Sequence, residues 1–320
     1  MNQRSELVFD GNDYVATTLD AQPSALPATT WEAWVKPTRN MNHWDTILST
    51  DDGHWDRAVA SNAGRFRIFH GSGAWDAVAA DINQWQHIAV VYTADKHIKF
   101  YKNGTEYVYP EQSSIGSTKH RFFIGWIKGT AHYFQGSIAE VRIWNYAREQ
   151  AEIQRDMNNS LEGEESGLVG YWPLDEGEGT QAADRSGSGY DGKIDGATWK
   201  TSDLQLTPVK PEVVIATISY KGEVKRTQSD EYIEISNQGN GAADISGWKV
   251  TSNGKNQEFV FPAGTSLAGG KSFRVYTNEV HEESGGFSFG SKTAIWNDKG
   301  DTGKLFDAEG NEVSSYSYEG

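Results

Sequence analysis

The 320-residue sequence has no cysteine, so a disulfide framework, a thiolate metal site and a thiol nucleophile are all excluded. It also lacks a surplus of positive charge. Lys and Arg number 29 against 44 Asp and Glu, a formal net charge of −15. Residues 1–207 carry 18 basic and 28 acidic side chains, and residues 208–320 carry 11 and 16, so neither part supplies the clustered cations that phosphate recognition needs. Nucleic acid and anionic membrane are therefore not expected partners. No window approaches the roughly 20 apolar residues that cross a bilayer, which argues against membrane insertion. Met1 to Glu6 run into a strand-like segment without the apolar centre of a secretion signal. Helical periodicity is almost missing as well. Only Tyr146 to Asn158 looks helical: it lacks Gly and Pro, and Ile153 and Met157 fall four apart on one face.

What is present is alternation. Most apolar residues alternate in short runs bounded by Gly, Asn, Asp or Pro, such as Trp31 to Val35, Phe66 to Phe69, His87 to Tyr92, Ile98 to Tyr101 and Val141 to Trp144. Period two at this spacing, with Asn103-Gly104 as a hairpin turn, predicts a many-stranded antiparallel sandwich. Around Thr207-Pro208-Val209-Lys210-Pro211 the pattern stops, and two nearby prolines suit a short extended connector. Beyond it, alternation resumes at Val213 to Ser219, Glu231 to Ser236, Trp248 to Thr251 and Phe273 to Thr277, at intervals that fit a second, smaller sandwich. The expected organisation is a first domain over residues 1–206, a linker over 207–212 and a second domain over 213–320.

The segments ELVFDGNDYV, TTWEAWVKP, NQWQHIAVVY, IKFYKNG and FQGSIAEVRIWNYAREQAEI, continuing into GLVGYWPLDEGEGTQAADRSGSGYDGKIDGATW, resemble laminin G-like domains of the concanavalin A-like superfamily from Glu6 to about Trp199. DEYIEISNQGNGAADISGWKV, FVFPAGTSLAGGKSFRVYT and AIWNDKGDTGKLFDAEGNEVSSYSY resemble a lamin tail domain of the bacterial kind. The resemblance implies an all-β chain, a jelly-roll sandwich followed by an immunoglobulin-like sandwich. It places Trp31, Trp34, Trp85, Trp144, Trp172 and Trp199 in the first core and Trp248 in the second. Gly269-Gly270 and Asp301-Thr302-Gly303 are expected as tight turns.

The concanavalin A-like fold also houses glucanases, whose strands carry alternating carboxylates of the type E-x-D-x-x-E. No such strand occurs. In Glu140-Val141-Arg142 an Arg follows the Glu on the same face, which would lower the carboxyl's pKa, the wrong direction for a general acid. Glu140 is expected in a structural ion pair instead. A phosphate-binding loop is also lacking. The chain is expected not to be an enzyme.

Three near-repeats, His43-Trp44-Asp45, His54-Trp55-Asp56 followed by Arg57, and Ala74-Trp75-Asp76, together with Trp126, lie outside the core-like runs. An indole can stack on a sugar ring while neighbouring Asp, Arg and His bond its hydroxyls. Trp44, His54, Trp55, Asp56, Arg57, Trp75, Asp76 and Trp126 are therefore the candidate ligand residues, weighed against simple local burial. Calcium, which takes six to eight oxygens, is the candidate cofactor. Asp10, Asn12, Asp13, Asp175 and Asp184 could meet if the terminal strands pair, although Asx turns would use the same residues. The reading that follows is a non-catalytic, carbohydrate-binding or adhesion protein, extracellular or at the cell surface as these domain types imply. The alternative is a structural or protein-interaction protein without glycan binding.

Overall fold

The computed structural model describes residues 4–39, 44–50, 57–71, 73–110, 121–224, 227–254 and 257–320. It divides the chain into two compact units, Met1–Thr207 and Pro208–Gly320. The expected connector is held from both sides. The Thr207 N–H donates to Asn158 O in the first unit, while the Lys210 and Glu212 N–H groups donate to the side chains of Asn240 and Asn237 in the second.

The first unit stacks two antiparallel sheets. One runs in the order Thr105–Val108, Ile98–Lys102, Gln86–Tyr92, Thr29–Pro37, Gln135–Trp144, Ser5–Asp10, Thr198–Thr201, with Leu168–Trp172 also paired to Gln135–Trp144. The other runs Gln181–Ala182, Gly192–Asp195, Tyr14–Asp20, Arg121–Ile124, Leu48–Ser49, Arg57–Asn62, Arg65–His70, Ala74–Ala79. Alternation sets which side chains enter the space between them. In Thr29–Pro37, Trp31, Ala33 and Val35 face inward and join one core cluster with Phe122 and Trp172. The Trp31 ring meets Phe122 edge-on at 5.1 Å, and Phe122 stacks on Trp172 at 5.8 Å. Asn103 and Gly104 both have positive φ and close the expected hairpin.

The back of the first sheet is covered by the helix Gln150–Asp156, whose Ile153 packs on Ala89, Val91 and Tyr101. The helix starts later than its apolar spacing suggests. Thr30 Oγ1 donates to Tyr146 O and accepts the Arg148 N–H, both at 2.9 Å, so residues 146–148 stay tied to the start of the strand Thr29–Pro37. Glu149 then opens the helix with a capping box to Glu152.

This second packed layer revises the tryptophan assignments. Trp34 and Trp144 leave the inter-sheet space: Trp34 Nε1 donates to Met157 O at 2.7 Å, and Trp144 packs with Leu168 and Tyr171 beneath Arg148. Trp85 precedes its strand, half-buried, with Nε1 on Asp203 at 2.7 Å. Trp199 is half-buried against the core.

The second unit has two four-stranded sheets. Val213–Ser219, Tyr232–Asn237, Ser272–Tyr276 and Phe287–Ser288 form one, and Glu258–Val260, Lys249–Thr251, Gly300–Phe306 and Glu312–Glu319 form the other. Ala243–Asp244 and Ser266–Leu267 form a separate two-stranded ladder. Its deeply buried indole is Trp296, at 2 % exposure, rather than the half-buried Trp248. Asp301-Thr302-Gly303 lies within a strand instead of a turn. Gly303 is needed there for close approach: a Cβ would come within 2.7 Å of Ile218 and 2.9 Å of Ile233.

Candidate functional site

The second sheet of the first unit turns Val15, Ile124, Leu48, Val59, Phe66 and Ile68 into the core. The intervening residues face outward, and their register lines up chemistry of one kind. Arg67 lies opposite Ala60 on one side and Asp76 on the other. Its guanidinium forks onto Asp76, with Nε 2.6 Å from Oδ1 and the terminal nitrogen 3.0 Å from Oδ2. Asn62 Nδ2 also donates to Asp76 at 2.8 Å. The hydrogen bonds from Arg67 hold the Asp76 carboxyl below its ordinary value, against the opposing effect of burial, with Asn62 assisting. The Arg67 guanidinium lies 5.3 Å from the centre of the Trp44 ring. That is cation–π range.

Trp44 is delivered to this face by the segment before Leu48–Ser49. Its N–H donates to Ser61 O at 2.8 Å, its φ is +65°, and its ring meets Phe69 edge-on at 5.4 Å. His132 follows at 6.3 Å from Trp44. Beside it, Tyr133 stacks parallel to Trp126 at 5.7 Å, and Tyr14 lies 4.6 Å from the other end of that stack. Trp126 Nε1 donates to Thr130 O at 3.0 Å, and Phe123 supports the indole edge-on at 5.3 Å. Tyr14 Oη donates to Asp195 at 3.2 Å; burial, aided by the Asp195 charge, pushes the phenol's pKa up and keeps it a donor. The result is two groups of half-buried rings, Tyr14–Trp126–Tyr133 and His132–Trp44, linked through the chain neighbours His132 and Tyr133, the second group adjoining the Arg67–Asp76–Asn62 polar cluster; together they are the ring row.

Comparison with known proteins places the two units. Residues 9–154 match the family model for the concanavalin A-like lectin/glucanases superfamily, and residues 207–320 match that for the lamin tail domain. The chain carries a concanavalin A-like domain followed by a lamin tail domain. No curated protein matches it in sequence. Among solved structures, a Bacteroides ovatus protein described provisionally as carbohydrate binding is similar with a TM-score of 0.52 at 20 % identity, over 65 % of this chain and 62 % of its own. The present chain thus spans less than two thirds of that protein. A heptameric SAP-like pentraxin of Limulus polyphemus gives a TM-score of 0.42 at 14 % identity, over 63 % of this chain and 97 % of the pentraxin. At these identities the likeness concerns the fold.

Within the concanavalin A-like domain, the expected ligand residues part company. Trp44, Asp76 and Trp126 share the outer face. Trp75 pairs with Ile68, faces the other way and packs on the core beside Tyr109, with ring centres 5.7 Å apart. Arg57 is buried at 3 % exposure, and its guanidinium donates to Leu26 O at 2.6 Å and Pro27 O at 3.0 Å. It braces a loop instead of joining the ring row. His54, Trp55 and Asp56 lie outside the described residues.

The expected calcium ligands do not all converge: Asp10, Asn12 and Asp13 meet in one turn, while Asp175 and Asp184 are engaged by other partners. Asp184 accepts the Tyr171, Ser186 and Tyr190 N–H groups at 3.0, 2.9 and 2.8 Å, so both its oxygens are used in closing its own loop and tying it to the strand Leu168–Trp172. Asp175 pairs with Arg185. Asp13 accepts the Asp10 N–H at 2.6 Å, and burial raises its carboxyl's pKa. The Asn12 amide satisfies its surroundings with its nitrogen, not its oxygen, toward Asp13 and Asp10 at 2.6 and 2.9 Å. Among the described residues no three His, Asp or Glu form a group that could hold a metal ion. Glu140 pairs with Arg142 at 2.6 Å and accepts the Tyr171 hydroxyl at 3.0 Å in a sealed interior.

Tyr14, Tyr133, His132, Arg67 and Asn62 were missed by sequence. For Arg67 a signal existed: Arg65-Phe66-Arg67-Ile68 alternates, so both arginines must leave the core. Tyr14 meets Trp126 from a distant position in the chain and Tyr133 from across a short turn, bridged to it antiparallel, and no residue pattern marks either.

Proposed function

We propose that the concanavalin A-like domain is a non-catalytic carbohydrate-binding module and that its glycan lies along the outer face of the second sheet. The observation that carries this reading is the pairing of Trp44 and His132 with the Arg67–Asp76–Asn62 cluster, next in the chain to the Tyr133–Trp126–Tyr14 stack. Rings take the apolar face of a sugar, and fixed polar groups take its hydroxyls. The rings and the Arg67 fork are already braced by one another, so little ordering would be needed on binding. The carbohydrate-binding description of the Bacteroides ovatus protein favours the same class of ligand. An adhesive role outside the cell fits such a module, with the lamin tail domain as spacer or accessory. Among the described residues no helix is long and apolar enough to cross a membrane. A broad glycan array tests the reading. Intact protein should bind a defined set of sugars, and Trp126→Ala combined with Trp44→Ala should abolish that binding while the folded spectrum is kept. Silence of the intact protein across the array would favour a protein-interaction role.

A further inference from the structure

Between the first sheet of the concanavalin A-like domain and the helix Gln150–Asp156 lies a charged network with no part in the ring row. Glu32, His87, Glu140 and Arg142 are each at 1 % exposure or less, and Arg148 is at 2 %. Arg148 bonds Glu32 at 2.7 Å and also pairs with Asp156 on the helix. Arg142 bonds Glu140 at 2.6 Å and donates to Asp156 O at 3.0 Å. Arg4 closes the set on Glu140. Three carboxylates, Glu32, Glu140 and Asp156, thus meet three guanidiniums, Arg4, Arg142 and Arg148. Arg155 and Asp175 add one charge of each sign at the rim.

His87 sits against this balanced set. Its Nε2 is 3.2 Å from Glu32 Oε2 but off the line a hydrogen bond requires, and its Nδ1 has no partner. The Trp34 ring packs on it at 5.7 Å and is itself tied to Met157 O just past the helix. The charged groups facing the imidazole are Glu32 from Thr29–Pro37, Arg142 from Gln135–Trp144 and Arg148 from the segment before the helix.

We propose that this network is an acid-sensitive clasp: a proton taken up by His87 adds one positive charge to a buried set whose carboxylates and guanidiniums already balance, and releases residues 148–157 from the sheet. The electrostatics support the direction. Burial depresses the imidazole's proton affinity, Glu32 opposes this, and Arg142 and Arg148 add to it. Burial would likewise raise the Glu32 carboxyl, but Arg148 and His87 outweigh it and hold it at about 2, so Glu32 stays ionised, with Oε1 on Arg148 and Oε2 the oxygen nearest His87. A depressed His binds fewer protons in the folded state than in the unfolded one, so the stability it supports is present above its ordinary value of 6.5 and is lost as pH falls below it.

The test is amide hydrogen exchange of the full chain from pH 7.5 to 5.0, corrected for intrinsic exchange, read on peptides covering 148–157. These amides should open about tenfold or more faster at the acid end, with a midpoint below 6.5, while strands of the lamin tail domain do not follow. His87→Gln should remove the dependence. A flat profile, or the same profile in His87→Gln, would overturn the proposal. Should that variant not fold, the imidazole is titrated by NMR in the unaltered chain. A His87 midpoint below 6.5 that coincides with the exchange transition supports the clasp, and one at or above 6.5 refutes it.

Discussion

Glu231 in the lamin tail domain offers a perturbation whose sign and size follow from its surroundings. The side chain is fully buried just before the strand Tyr232–Asn237. Its Oε2 accepts Thr277 Oγ1 at 3.1 Å and the Ile295 N–H at 3.2 Å, while Oε1 has no partner. Among the described residues no cation pairs with it. Burial therefore pushes the carboxyl up to about 7, with the hydrogen bonds from Thr277, Trp296 and Ile295 opposing and the Asp298 charge assisting. The folded domain then keeps a proton that the unfolded chain releases above the ordinary value of 4.5. Stability from this group is greatest below 4.5 and falls as pH rises to about 7. At about 1.4 kcal/mol for each tenfold change in proton affinity, that interval amounts to about 3 kcal/mol. Glu231→Gln keeps the shape, keeps an acceptor for Thr277 and Ile295, and cannot ionise. Native-state hydrogen exchange on strand Tyr232–Asn237 should show the variant equal to the parent at pH 4.5 and more stable by up to about 3 kcal/mol at pH 8. Parallel pH profiles would refute the reasoning, because they would mean that Glu231 holds no extra proton in the fold.

Gly303→Ala should destabilise the lamin tail domain by about 1–3 kcal/mol in a urea titration, because the added methyl meets Ile218, Ile233 and Trp296. Trp31→Ala should cost the concanavalin A-like domain about 3–5 kcal/mol, since the ring is fully buried, whereas half-buried Trp126→Ala should leave its melting temperature nearly unchanged. Millimolar calcium should not raise the melting temperature of the chain; a rise lost in Asp10→Ala would contradict the loop-closing roles of Asp13, Asn12 and Asp184.

The strands were legible because one period governs them. Trp31-Glu32-Ala33-Trp34-Val35 announces a strand at once. Alternation does not say that a sheet is covered on both faces, so Trp34 was read into the inter-sheet core although it lies under the helix. Similarly, Asp301-Thr302-Gly303 has the composition of a turn, and only the close approach of Ile218 and Ile233 explains a glycine in mid-strand. Of the candidate site, the isolated tryptophans were visible as rings outside apolar runs. Which face each takes was not, since Trp75 and Asp76 are neighbours in sequence and point to opposite sides of one sheet. The Asp-rich turns looked like ligands because closing a loop and binding calcium call on the same oxygens. Partner distance decides between them, and it is not written locally.

Hydroxyl-radical footprinting of the intact protein, with and without a glycan drawn from the array, tests the binding surface most directly. Bound glycan should shield Trp44, Tyr133, Trp126 and Tyr14 together while leaving Trp85 and Trp199 as reactive as before. Shielding of Trp85 or Trp199 with the ring row unprotected would place the ligand elsewhere and contradict the proposed site.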